Sequence, residues 1–361
     1  MNTALRFIRD DIKAMQAYVV QSAAGMVKLD AMENPFPLPE RLRAELGKRL
    51  GEVEVNRYPG SRVADLKAML ASSLDLNDSQ AIVLGNGSDE LISLLVLACS
   101  RTGASILAPV PGFVMYELSA RLMGLAFHGV PLTADFELDV PAMSVAIAEH
   151  QPAVTFLAYP NNPTANLWGE DAVRTVVRAV GAYGGIVVID EAYQPFASKS
   201  WLSQIRTNPG DNRHVLLMRT MSKQGLAGAR LGYMLGDAEL IAQIDKVRPP
   251  YNVSSLNAEC GLFALEHAQA LADQAATVRE ERDRLLAALA AISGVKPFPS
   301  EANMVLVRVP DAAKTFAELK QRGILVKNVS TMHSLLGNCL RLTVGTPQEN
   351  AILVDALKQS L

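Results

Sequence analysis

Cysteine is scarce in this chain: Cys99, Cys260 and Cys339 are odd in number and far apart. Such spacing excludes a disulfide framework or a cysteine-based zinc site and fits reduced, mostly buried thiols. The five histidines show no metal-ligand spacing either, so no metal is expected. Long apolar runs are also missing. A stretch such as "LISLLVLAC" (91–99) falls well short of the about 18 residues that suggest a spanning helix. The opening "MNTALRFIRDDIKAMQAY" mixes acids and bases early, with neither a continuous apolar core nor a small-residue cleavage site. Nor is there an excess of positive charge. A formal net charge of −3 leaves no general basic face of the kind that displaces counterions from nucleic acid. The expectation is a cytoplasmic protein with no nucleic-acid or membrane partner.

What is present is an ordinary globular balance, 49% hydrophobic and 20% charged, which excludes a disordered chain. A length of 361 residues exceeds the usual size of a single core, so two units are expected. From about residue 80 to 235, short β-branched runs alternate with longer helical patterns: "AIVLG", "SILAP", "VTFLAYP", "GIVVIDEAY", "HVLLMRT" and "LGYML". That alternation predicts a mostly parallel sheet with helices on both faces. The segment 265–293 has helical spacing with no Pro or Gly and reads as one or two helices. Beyond it "NMVLVRV", "GILVKN" and "CLRLTVG", with a helical pattern at 311–322, suggest a smaller α/β unit. The expected organisation is an arm and lead-in over 1–50 that packs with the smaller unit, a large unit over 51–245, and a connecting helix with the smaller unit over 246–361. No internal repeat or long linker is visible.

In open α/β sheets ligands collect beyond the carboxyl ends of the strands, and three stretches at such ends carry chemistry. "VLGNGSDELISLL" (83–95) runs from a strand through Gly85 and Gly87 into a helix. Glycines allow close backbone approach, and a helix N-terminus offers unpaired donors with partial positive charge, which suits a phosphate; an ordinary capped turn is the plain alternative. In "GGIVVIDEAYQPF" (184–196), Asp190 follows four β-branched residues and should sit at the end of a buried strand, where its carboxylate needs a cationic partner. That partner is either an arginine or a protonated ring nitrogen. "RTMSKQGLAGARLGY" (219–233) sets Lys223 among small residues. A lone loop lysine is usually a solvated charge. Beside a phosphate cradle and a carboxylate for a heterocycle, it becomes the partner of an aldehyde. Pyridoxal 5′-phosphate has all three complementary groups, and Ser222 and Arg230 can complete its phosphate site.

These motifs, together with "ENPFPLP", "RYPG", "PGFVMY", "NNPTAN" and "CLRLTVGTPQEN" in order, resemble those of the aspartate-aminotransferase superfamily. Within it the chain looks most similar to the histidinol-phosphate aminotransferases, from about Tyr18 to the C-terminus. The resemblance implies a pyridoxal-phosphate enzyme of fold type I, a large domain with a mostly parallel sheet sandwiched by helices plus a smaller α/β domain. It implies that Lys223 holds the cofactor's aldehyde and later moves the substrate's proton, and that Asp190 partners the ring nitrogen. Asn162 and Tyr193 would bind the ring hydroxyl, Phe113 would stack on the ring, and the backbone of Gly87, Ser88 and Asp89 would bind phosphate. Tyr58 would reach the neighbouring site, which implies a homodimer. Arg341 would bind the substrate's distal anion with Lys327 beside it, in place of an arginine found in some relatives, and Tyr18 would close the pocket. The implied reaction is transamination between histidinol phosphate and 2-oxoglutarate, with glutamate as product, in histidine biosynthesis. A threonine-phosphate decarboxylase or an aromatic amino-acid aminotransferase of the same fold is the nearest alternative, and a non-catalytic pyridoxal-phosphate-binding regulator a remote one. Ala165 stands where the usual turn has glycine, which costs roughly 1 kcal/mol if that position requires positive φ.

Overall fold

The computed structural model describes residues 2–17 and 21–361. Its strands are β1 (Val27–Lys28), β2 (Gln80–Gly85), β3 (Ser105–Val110), β4 (Ala126–Pro131), β5 (Val154–Ala158), β6 (Ile186–Asp190) and β7 (Val215–Thr220). They continue with β8 (Gly232–Asp237), β9 (Lys296–Pro297), β10 (Met304–Arg308), β11 (Ile324–Leu325), β12 (Lys327–Asn328) and β13 (Cys339–Thr343). Seven form the large sheet, in the order β2-β8-β7-β6-β5-β3-β4. All its pairings are parallel except the two made by β8, which runs against both β2 and β7.

The period-2 alternation of β-branched and other apolar side chains explains why the centre of this sheet is covered on both faces. Val187, Ile189, Leu217 and Leu235 enter one core cluster. Their neighbours Val188, Leu216, Met218 and Met234 enter the other. Register then sets the carboxyl edge. Gly85 lies opposite Gly232, Gly232 opposite Thr220, and Asp190 between Ala158 and Met218. The ends of β2, β5, β6 and β7 and the start of β8 are therefore neighbours.

The smaller unit is an antiparallel sheet in the order β12-β13-β10-β9. It packs on the helices Ala312–Gln321 and Pro347–Ser360 around its own core. β1 pairs parallel with β11, and Leu29 and Met32 enter that core. The helix Ser255–Glu266 adds Ala258 and Leu262 to the large-sheet core, whereas Val278, Leu285 and Leu289 of the helix Ala268–Ala290 belong to the second core.

Two sequence expectations need correction. "GILVKN" is two strands rather than one: the chain changes partner at the buried Val326, from β1 to β13. The edge strand β4 was not expected at all, because an edge needs only one covered face, and "AFHGVP" is largely exposed and lacks a β-branched run. No helix among the described residues is long and apolar enough to cross a membrane.

Candidate active site

One cavity at the carboxyl edge is lined by Ser88, Asp89, Phe113, Asn162, Asp190, Tyr193, Ser222, Lys223 and Arg230. Nine of the expected residues are thus brought together from five separate segments. At its back is the start of the helix Gly87–Ala98, whose first N–H groups have no partners within the helix. Gly87 has φ 76°, and a Cβ there would stand 2.7 Å from Arg230 Nη2. A Cβ on Gly232 would stand 2.7 Å from the Gly87 carbonyl carbon and 2.8 Å from Ser88 N. The turn is glycine-lined because a guanidinium and a neighbouring strand press on it. Arg230, itself at φ 45°, donates from Nη1 to Ser222 Oγ at 3.3 Å and from Nη2 to Asp89 Oδ2 at 3.4 Å. The eight-residue step from Ser222 to Arg230 thus places the guanidinium beside the glycine turn.

Asp190 is buried at the end of β6. Tyr116 donates its hydroxyl to Oδ2 at 2.7 Å, and the Ala192 N–H donates to Oδ1 at 3.0 Å. The arginine partner considered from sequence is not there. Among the described residues no cation pairs with Asp190, and the nearby Arg219 donates instead to Glu191 at 2.8 and 3.0 Å. Burial pushes the Asp190 carboxyl up to about 6, against the opposing pull of its two hydrogen bonds. Burial also pushes the Lys223 ammonium down to about 8, helped by the charge of Arg341. Lys223 Nζ donates to the Ala31 carbonyl at 3.1 Å and lies 5.9 Å from the centre of the Tyr193 ring.

A hydrogen-bonded line joins the smaller unit to this cavity. Arg341 donates from Nη1 to Asn162 Oδ1 at 2.7 Å and from Nη2 to the Asp30 carbonyl at 2.7 Å. Asn162 donates from Nδ2 to the Tyr193 hydroxyl at 3.1 Å, which leaves that hydroxyl's own proton available. Burial raises the Tyr193 phenol, so it stays protonated. Phe113 meets Tyr116 edge to face, with centroids 5.6 Å apart. Ala165 has φ 66°, the conformation glycine favours.

The remaining expected residues lie elsewhere. Lys327 is half-buried directly opposite Arg341 across the β12–β13 ladder, so both point to one face of that sheet. Tyr58 does not enter this cavity; it is 78% exposed and stacks on Tyr251 at 4.6 Å. Tyr18 lies outside the described residues. Sequence reasoning missed Tyr116, whose only signal was its place in "PGFVMY" after a strand end.

Comparison with known proteins adds the following. Residues 24–357 match the family described as aminotransferase class I and II. The chain is 63% identical over 359 residues to the histidinol-phosphate aminotransferase of Acidovorax sp. (strain JS42), covering 99% of this chain and 98% of that protein. It is 63% identical over 353 residues to the protein of the same name from Methylibium petroleiphilum, covering 98% and 94%. Among solved structures, it resembles the histidinol-phosphate aminotransferase of Sinorhizobium meliloti in complex with pyridoxal-5′-phosphate. The TM-score is 0.87 at 23% identity, covering 99% of this chain and 98% of that one. The L-threonine-O-3-phosphate decarboxylase of Porphyromonas gingivalis superimposes with a TM-score of 0.77 at 20% identity, covering 92% and 99%. These last two likenesses establish a shared fold.

Proposed function

We infer the reaction from the premise that the chain belongs to the aminotransferase class I and II family. It is a histidinol-phosphate aminotransferase, moving the amino group of L-histidinol phosphate to 2-oxoglutarate and giving imidazole acetol phosphate and L-glutamate in histidine biosynthesis. The observation that carries the site reading is the pairing of two groups drawn toward neutrality in one cavity. A buried carboxyl at about 6 has no cation among the described residues, and a buried lysine sits at about 8. Pyridoxal 5′-phosphate fits this donor set. It supplies a ring that stores the electron pair released at the substrate's Cα.

The chain's own residues do the rest. The N–H groups of Gly87, Ser88 and Asp89, the Ser222 hydroxyl and the Arg230 guanidinium would hold the phosphate. Asp190, fixed by Tyr116 and Ala192, would hold a proton on the ring nitrogen. Its desolvated charge regains a partner there, which is why the site tolerates it. Asn162 and Tyr193 would bind the ring oxygen, and Phe113 would cover one face. Lys223 Nζ would hold the aldehyde and, once displaced by the substrate amine, move the proton from the substrate's Cα to C4′ of the cofactor. A lysine at about 8 is neutral often enough near neutral pH to take a proton.

Arg341 and Lys327 would bind the substrate's distal anion, with Tyr18 closing over it. This position lets one site accept a phosphate monoester and a dicarboxylate in turn. The exposed Tyr58 supports a homodimer in which it reaches the partner's phosphate site. Three free cysteines suit a cytoplasmic enzyme.

The test is to load purified protein with pyridoxal 5′-phosphate, add histidinol phosphate, and follow conversion to pyridoxamine 5′-phosphate by absorption, then reverse it with 2-oxoglutarate. Carbon dioxide release from threonine phosphate, or a preference for phenylalanine, would overturn the substrate assignment while leaving the cofactor reading in place.

A further inference from the structure

The turn from Gly85 to Gly87 is held from behind by groups that the ligand contacts above do not use. Glu90 Oε2 accepts the Asn86 N–H at 2.7 Å and also Asn252 Nδ2 at 2.7 Å. Asn252 Nδ2 lies 3.2 Å from the Leu84 carbonyl as well, and the Asn252 carbonyl accepts Asn86 Nδ2 at 2.6 Å. Asn252 Oδ1 is fixed in turn by Arg248 Nη1 at 3.0 Å, and Asn86 Oδ1 by Asn257 Nδ2 at 3.3 Å. A carboxylate in a helix's first turn suits the helix dipole, but next to a bound anion its charge is unfavourable. What Glu90 contributes there is geometric: Oε2 takes the Asn86 N–H and Asn252 Nδ2, with Asn86 Nδ2 also 3.4 Å away, and this sets the angle at which the turn enters the helix.

The same network reaches the surface. Tyr251, next to Asn252, has φ 58°, a left-handed conformation that a bulky residue rarely adopts. Its ring stacks on Tyr58 at 4.6 Å with 17° between planes. The cradle turn, Asn252, Tyr251 and Tyr58 thus form one continuous chain of contacts.

We propose that Glu90 and Asn252 form a positioning brace that sets the phosphate cradle of one subunit and, through Tyr251, the placement of the Tyr58 ring that serves the other. Phosphate hold at each site then depends on the brace in both chains. This rests on the reading above, in which the cradle binds the cofactor's phosphate and Tyr58 enters the partner's site.

The test compares binding of pyridoxal 5′-phosphate with that of pyridoxal, which lacks the phosphate, by absorption titration of the cofactor-free dimer. Asn252→Ala should weaken the phosphorylated ligand about tenfold, the size of one lost hydrogen bond, and pyridoxal by much less. Equal weakening of both would overturn the role in the cradle. Glu90→Gln, which keeps an acceptor oxygen, should retain most of the phosphate preference that Glu90→Ala loses. Equal loss in both variants would show that an acceptor oxygen at this position does not hold the cradle and would overturn the positioning role, and Glu90→Gln with Asn252→Ala carries the test should Glu90→Ala not fold.

Coupling between subunits is read in hybrid dimers of a wild-type chain with a Lys223→Ala/Asn252→Ala chain. Only the wild-type lysine captures the aldehyde there, in a site whose own cradle is intact. Weakening by about threefold relative to a hybrid carrying Lys223→Ala alone is expected, and equal affinity overturns the coupling. The same hybrid with Tyr58→Ala in place of Asn252→Ala separates the causes: no loss there overturns the dimer reading itself. A wild-type protein that bound the two ligands equally would overturn the cofactor reading and the brace with it.

Discussion

Asp190 and Glu191 are consecutive buried carboxylates at the end of β6, and they are treated in opposite ways. Glu191 is fully satisfied: Arg219 donates twice to Oε2, Ser200 Oγ donates to the same oxygen at 3.0 Å, and the Trp201 N–H donates to Oε1 at 2.5 Å. Asp190, turned into the cavity, has a tyrosine hydroxyl and one N–H and no cation among the described residues. The two cations differ in the same way: Arg219 is committed to Glu191, while Lys223 donates to a single carbonyl. Where charge serves structure, the chain closes the circuit within itself. On the proposed reading of the cavity, the partners of Asp190 and Lys223 would come from a ligand.

Breaking the closed pair should produce the largest effect on stability. Glu191→Gln leaves the Arg219 charge buried without its counterion and should cost about 3–5 kcal/mol in denaturant unfolding. Little or no change would mean that solvent reaches this pair. Removing the open cation should do the reverse. Lys223→Ala should lose at least about 10²-fold in turnover, as expected for a positioned proton carrier, while the cofactor-free protein keeps or slightly gains thermal stability because a desolvated ammonium is gone. Near wild-type turnover would sink the assignment of Lys223.

Asp190→Asn sharpens the comparison through pH. The folded carboxyl titrates near 6 against an ordinary 3.8, so the folded state binds the extra proton between those values. The stabilisation from this group is complete below about pH 4 and is lost as pH rises through about 6. The asparagine variant lacks that loss. Cofactor-free Asp190→Asn should therefore gain on wild type by roughly 1–3 kcal/mol between pH 4 and pH 7, even as the loaded enzyme turns over more slowly. A flat difference across that range would show that Asp190 is not desolvated. The smallest effect is expected at Ala165, where glycine should relieve the φ of 66° and add up to about 1 kcal/mol. A fall in melting temperature would show that burial of the methyl group matters more.

The open groups were also the ones most legible in sequence. Asp190 announced itself as an acid ending a β-branched run, and Lys223 as a charge among small residues beside a glycine turn. Their satisfied counterparts gave no such signal, because Glu191, Arg219 and Ser200 are scattered along the chain and acquire meaning only once β6 and β7 are paired. Tyr116 was hidden for the same reason: an aromatic residue early in a helix reads as core until the end of β6 is brought beside it. Arg341 and Lys327 were legible through family resemblance and not from pattern, since an arginine and a lysine in short strands look alike whichever face they occupy. The central strands followed from apolar runs buried on both sides. The edge strand β4 and the split of 324–328 did not, because each depends on partners distant in sequence.

The reversal of β8 has a consequence for assembly. β7 and β8 form an antiparallel pair whose connecting loop, closed by the Met221 N–H on the Leu231 carbonyl at 2.9 Å, carries both Lys223 and Arg230. A parallel partner would have forced the chain back across the full height of the sheet before pairing, separating those two residues by a crossover. The hairpin instead keeps them within a short loop, where the Arg230–Ser222 contact is local in sequence and inexpensive in chain entropy, while Lys223 and Arg230 also reach the distant Ala31 and Asp89. Asp190 and the glycine turn join from parallel strands and a distant edge, whose loop closures are slower. The spacing between Lys223 and Arg230 is thus set by the hairpin itself, whereas their distance from Asp190 and from the glycine turn is set by the register of the whole sheet.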